Sequence, residues 1–216
     1  MHDIINQVIS NLRETTLLEF IAVVFGIVSV WFSRKENIWV YPTGLVSTVP
    51  YVYISLQSNL IGEASVNFYY TVMSLYGWWL WAKKDKASKP LVHVTASNGK
   101  EWMQQLFFFF AFYVSLFFAL SYLKQNFYRN AIPWADAFAS ATAYTGMWLM
   151  AKKKIESWYW WIATNLASIP LYYVKGLAFT SLYYIVLFAM AIWGLKEWQR
   201  RGKAPGNAAI FAIESE

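Results

Sequence analysis

The chain has 216 residues, of which 58% are hydrophobic, 20% aromatic and only 14% charged, against about 25% charged in an average soluble domain. Its net charge of +6 lies in short clusters at expected helix ends and not on one continuous basic face, which argues against a nucleic-acid partner. With no cysteine, disulfides and thiolate metal sites are excluded, and a polytopic membrane protein is the expected class.

Residues 1–14 carry Asp3, Asn6, Gln7, Asn11, Arg13 and Glu14 where a cleavable signal would need an apolar stretch. Ile4, Ile5, Val8, Ile9 and Leu12 fall on one side, so a short N-terminal surface helix is expected there. Seven spans follow: 16–33, 38–56, 64–82, 103–123, 133–151, 157–175 and 178–198. Each is near the roughly 20 residues that a helix needs to cross about 30 Å of hydrocarbon. Runs such as Phe107-Phe108-Phe109-Phe110 do not alternate apolar with polar, so a β-barrel is not expected. Residues 201–216, with their Gly, Ala and Pro, are expected to form a mobile tail.

Residues about 20–56 lie over about 140–176 at an offset of 120, pairing Gly26 with Gly146, Pro50 with Pro170 and Tyr53 with Tyr173. Tyr76-Gly77-Trp78 resembles Trp193-Gly194-Leu195 at an offset of 117. The expected organisation is therefore a first three-helix repeat at 15–82, a loop with linker helix at 83–132, and a second repeat at 133–200. The single linker crossing turns the chain once more, so the repeats of this all-α, 3+1+3 fold run parallel. Fourteen of the eighteen basic residues fall on one side, which places the N-terminus outside and the C-terminus in the cytoplasm by the positive-inside rule.

The sixth span carries Trp158, Trp161, Asn165, Ser168 and Tyr172 three or four residues apart, which stacks them on one helix face. Asn165 is costly against lipid and is expected to point into the bundle, either to a wet cavity or to an interhelical hydrogen bond. Trp158 and Trp161 fit either a substrate site or an interfacial aromatic belt. Asn67 and Tyr70 on the third span, Asp136, Tyr144 and Trp148 on the fifth, and Tyr41 on the second complete the candidate substrate-binding set. Such a set suits a flat, partly polar, cationic ligand, because aromatic faces attract cations while amides and hydroxyls orient polar groups. Pro50 and Pro170, inside spans, are candidate hinges for gating or simple packing kinks.

His2 is terminal and His93 lies in the loop, leaving no histidine within the membrane for metal or acid-base work; neither enzyme activity, metal nor cofactor is expected. The in-membrane ionisable candidates are Glu19, Asp136 and Lys175, all near span ends, which points to uncoupled passage.

The stretch Trp158-x-x-Trp161-x-x-x-Asn165-x-x-Ser168-Ile169-Pro170-Leu171-Tyr172-x-x-Lys175-Gly176, the duplicated triplets and Tyr76-Gly77-Trp78-x-x-Trp81 together resemble the PnuC family of bacterial vitamin transporters over roughly residues 16–200. The resemblance implies a SWEET-like fold in one chain, a homotrimer in the bacterial inner membrane, and Trp158, Trp161 and Asn165 in the substrate site. It also implies nicotinamide riboside uptake by facilitated diffusion, with trapping by a separate cytoplasmic kinase. Thiamine, carried by relatives, is the alternative substrate; a membrane receptor with no transport role, or a carrier of another small polar solute, is the remaining alternative.

Overall fold

A computed structural model describes residues 16–57, 61–85, 88–126 and 131–202. The expected surface helix and the expected tail lie outside these residues, except Arg201 and Gly202, which are helical. Seven helices follow in order: α1 Leu17–Arg34, α2 Val40–Gln57, α3 Ile61–Ala82, α4 Gly99–Asn126, α5 Pro133–Ala151, α6 Ser157–Val174 and α7 Ala178–Gly202. Their ends fall within four residues of the expected spans. α1, α4 and α7 are each long and apolar enough to cross a membrane, with mean hydropathies of 1.8, 2.1 and 1.8. The other four carry polar residues such as Thr48, Asn67, Asp136 and Asn165, which line an internal cavity.

Local chemistry sets the ends. Thr16 and Glu19 form a reciprocal capping box that starts α1, and Asn98 and Glu101 do the same for α4. That second box begins α4 four residues before the apolar run, where Asn98-Gly99 reads in the sequence as a turn. α1 ends with Glu36 N–H on the Ser33 carbonyl and Asn37 N–H on the Phe32 carbonyl, and α5 repeats both bonds at Lys153 and Lys154. Glu36 (φ 57°) and Lys153 (φ 54°) thus occupy the left-handed position usually given to glycine.

These landmarks fix the repeat at 117, not 120. Val40 and Ser157 open α2 and α6, Ile61 and Ala178 open α3 and α7, and Glu36 and Lys153 hold equivalent turns, all 117 apart. A shift of three residues is slightly less than one helical turn and keeps most of a face in place, which is why the sequence tolerates it. Pro50 and Pro170 are consequently staggered by three positions and are not equivalent, contrary to the pairing expected from the sequence.

Within each repeat the middle helix packs on both others, and the repeats meet through α1 with α7 and α3 with α5. These two junctions are related by the same pseudo-twofold exchange. Linker α4 packs on α5. The core lies at the end that carries the α1–α2 and α5–α6 turns, called here the basic end. There Tyr41 meets Trp81 edge-on at 5.1 Å and Trp158 meets Trp198 edge-on at 5.5 Å, while the two repeats join through Trp81 and Trp198 at 6.4 Å. Each third-helix tryptophan donates its indole N–H across the junction: Trp81 to the Ala151 carbonyl at 3.0 Å, Trp198 to the Ser33 carbonyl at 3.1 Å. Glycines make room for the rings, since a Cβ on Gly77 or Gly194 would stand under 3.0 Å from Tyr41 or Trp158. Lys153 closes the array with an ion pair to Glu36 at 2.6 Å and its ammonium 4.5 Å from the Trp81 ring centre. The loop before α4 joins this core: Val94 is buried, and Thr95 pairs through its backbone with Lys153 and Ile155.

Candidate functional site

Between the repeats lies a cavity of about 330 Å³, bounded at the basic end by Met150, Trp158 and Ala191 and reaching Asp136, Lys175 and Thr180 at the opposite end. Helix periodicity explains its walls. On α6 the lining residues Trp158, Trp161, Thr164, Asn165 and Ser168 recur at steps of three and four. Their equivalents 117 earlier, Tyr41, Gly44, Ser47, Thr48 and Tyr51, line the cavity from α2. Likewise Glu63, Val66, Asn67, Tyr70 and Ser74 on α3 answer Thr180, Tyr183, Tyr184, Leu187 and Ala191 on α7. The positions obey the repeat and the side chains do not. Where the second repeat places Trp161 and Asn165, the first places Gly44 and Thr48, so one wall is aromatic and amide-bearing and the facing wall is recessed.

Asn165, Ser168 and Thr164 are buried, and the Trp161 ring meets Tyr70 of the other repeat at a tilt, with centres 5.9 Å apart. Tyr172 stacks on Tyr184 at 5.2 Å, with Ser168 on the same cavity wall. The Tyr41 hydroxyl and the Trp158 indole N–H, at equivalent positions, are buried with no protein partner among the described residues. At the end opposite the basic one, Lys175 approaches Asp136 Oδ1 to 2.5 Å, while Asp136 Oδ2 accepts the Ile132 backbone N–H at 2.7 Å.

Of the residues expected from the sequence, Trp158, Trp161, Asn165, Ser168, Tyr172, Asn67, Tyr70, Asp136 and Tyr41 all line this one cavity. Tyr144 and Trp148 do not. Tyr144 stacks on Tyr69 at 4.2 Å and meets Phe112 edge-on, and Trp148 stacks on Phe108 at 4.8 Å beneath the Lys152 ammonium. Steps of four residues drift by about 40° each on an α-helix, so a stripe from Asp136 through Ser140 to Tyr144 and Trp148 leaves the cavity face. The true face of α5 continues instead through Ala143, Met147 and Met150. Sequence reasoning missed several lining residues, among them Ser47, Tyr51, Thr164 and the charged Glu63. Glu63 stands one turn before Asn67, on the same stripe as Tyr70 and Ser74, and that spacing is the signal that reveals it. Among the described residues no group of three or more His, Cys, Asp or Glu is placed to hold a metal ion.

Comparison with known proteins agrees with this architecture. Residues 16–200 match the family described as nicotinamide mononucleotide transporter. The riboflavin/roseoflavin transporter RibM of Streptomyces davaonensis is 23% identical over 87% of this chain and 86% of its own. The nicotinamide riboside transporters PnuC of Neisseria mucosa and Escherichia coli are 26% and 20% identical, over 91% and 89% of this chain and 77% and 89% of theirs. A crystal structure of the vitamin B3 transporter PnuC superposes with a TM-score of 0.68 at 23% identity, covering 93% of this chain and 88% of that one, which shows the shared 3+1+3 fold. With its two parallel triplets around a central cavity, the chain is a multi-pass membrane protein that belongs to the nicotinamide mononucleotide transporter family.

Proposed function

We propose that this chain carries nicotinamide riboside across the bacterial inner membrane by facilitated diffusion, with a separate cytoplasmic kinase trapping the product of uptake. The observation that carries this reading is the cavity between the repeats, where Trp161 meets Tyr70 and Asn165 and Ser168 lie on the same wall. Its volume of about 330 Å³ falls at the small end of the roughly 300–1,000 Å³ usual for small-molecule pockets. A pyridinium ring suits an aromatic surface such as that of Trp161 and Tyr70 by stacking and cation–π attraction, its carboxamide suits an amide such as Asn165, and a ribose suits hydroxyl-bearing walls. The basic end faces the cytoplasm, because Lys35, Lys83, Lys84, Lys152, Lys153, Lys154, Arg200 and Arg201 gather there.

Transport follows from the way the halves meet. The α1–α7 and α3–α5 junctions let one triplet rock against the other, so that the aromatic array at the basic end opens as the opposite end closes. Pro50 and Pro170, on different turns of α2 and α6, supply separate bending points. A second reading, riboflavin uptake, draws on RibM, and a third is thiamine. Riboflavin is an uncharged three-ring molecule, less suited to a cavity of this size with acids on its wall.

Counterflow of labelled nicotinamide riboside, thiamine and riboflavin into proteoliposomes, with and without ion gradients, decides among them. The proposal expects nicotinamide riboside exchange that is indifferent to sodium and proton gradients. Exchange of riboflavin or thiamine alone would replace the substrate, and dependence on a gradient would replace the mechanism.

A further inference from the structure

We infer that Glu63 is the charge selector of the cavity, the residue that makes it take a monocation in preference to an uncharged molecule of the same outline. This rests on the transport reading above and gives that site its electrostatic specificity. Three charged side chains line the cavity among the described residues: Glu63, Asp136 and Lys175. Lys175 is engaged with Asp136, whose second oxygen holds the start of α5. That pair balances itself. Glu63 is a further acid whose field is felt by the same lysine, but no cationic side chain among the described residues forms an ion pair with it within 4.0 Å. Among the described residues the wall thus carries two carboxyl groups against one ammonium.

The placement is specific to the site and not demanded by the scaffold. Glu63 on α3 corresponds to Thr180 on α7, and both line the cavity. A hydroxyl therefore satisfies this position in one repeat while a carboxylate stands in the other. The Glu63 side chain lies beside Tyr172, whose ring stacks on Tyr184, so the acid stands at the aromatic rim of the cavity. Its main-chain carbonyl accepts the Asn67 amide at 3.0 Å, a bond that does not involve the carboxylate. A half-buried carboxylate with no cation of its own carries a desolvation cost that a cationic ligand offsets and a neutral one does not. Low-dielectric walls also focus its field, raising the local concentration of cations at the entrance. The alternative role, an acid in the first turn of α3 favouring the helix dipole, would affect stability alone.

The test is counterflow into proteoliposomes containing the full chain, using nicotinamide riboside and its uncharged dihydro form as paired probes. Wild-type protein is expected to prefer the cation by about tenfold or more. Glu63→Gln should bring the ratio to within about twofold, through loss of cation exchange with dihydro exchange retained, and Glu63→Asp should keep most of the preference. Glu63→Thr, which copies the side chain at position 180, gives the same readout if the glutamine variant does not fold. An unchanged ratio in the folded Gln or Thr variant overturns the inference while the transport reading stands. Wild-type exchange of neither probe overturns both.

Discussion

The two ends of the cavity are built differently from one duplicated scaffold. At the basic end the repeats agree in packing and backbone: Tyr41 answers Trp158, Gly77 answers Gly194, Trp81 answers Trp198, and Glu36 and Lys153 hold equivalent left-handed turns. Further in and towards the other end they diverge, with Gly44 against Trp161, Thr48 against Asn165, and Glu63 against Thr180. Closure of a pore about a pseudo-twofold axis favours matched contacts, whereas recognition of an unsymmetrical molecule needs unmatched walls. Symmetry marks the gate and asymmetry marks the site.

The largest effects should come from abolishing the asymmetry. Trp161→Ala with Asn165→Ala is expected to weaken nicotinamide riboside binding on the order of a hundredfold by calorimetry in detergent, with little change in melting temperature. Gly44→Phe, which fills the recess facing Trp161, should block exchange, whereas Gly44→Ala only asks the Ser29 hydroxyl, 3.2 Å from the new Cβ, to yield slightly. Retained exchange in Gly44→Phe would show that the recess is not occupied by substrate.

Next come changes to the matched end, read by thermal unfolding. Lys153→Glu sets two carboxylates against each other in a buried place and should cost about 3 kcal/mol. The exchange Glu36→Lys with Lys153→Glu should recover more than half of that loss, because both positions share one backbone turn, but not all, because Arg201 lies 3.4 Å from Glu36. Failure to recover would mean the turns are not interchangeable. Gly77→Ala and Gly194→Ala should each cost about 2 kcal/mol by overpacking Tyr41 and Trp158, and the two losses should be similar.

The smallest effect lies outside the membrane. Burial pushes the Glu101 carboxyl up, but the Lys154 ammonium and the Asn98 backbone N–H outweigh it and hold it below its usual 4.5. A folded value below the unfolded one means that its stabilisation is complete at neutral pH and is lost as pH falls through the folded value. The melting-temperature difference between wild type and Glu101→Gln should therefore shrink to nothing on acidification below 4.5. A difference that persists in acid would assign Glu101 a role other than its ion pair.

Helix number, order and the α6 face were legible because hydrophobic run length and steps of three and four are read directly from residue types. The offset was read as 117 for the third helices but as 120 for the first two, because an aromatic-rich duplicated chain matches itself nearly as well after a slip of about one turn. The same limit misplaced the proline pair. Tyr144 and Trp148 carry the right chemistry on the wrong arc of α5, a distinction of a few tens of degrees that only packing against α4 and α3 decides. Glu63 stood at the edge of an uncharged run, where an acid resembles an interfacial residue until α5 and α6 are brought beside it. The buried Val94 in a polar loop gave no periodic signal at all.

A structure determined with nicotinamide riboside bound tests the central claim most directly. The account predicts the pyridinium in the cavity against the Trp161 ring and beside Tyr70, its carboxamide at Asn165, and the ligand's charge on the side of Glu63. Ligand density outside the space between the two triplets, or none there at saturating concentration, would contradict it.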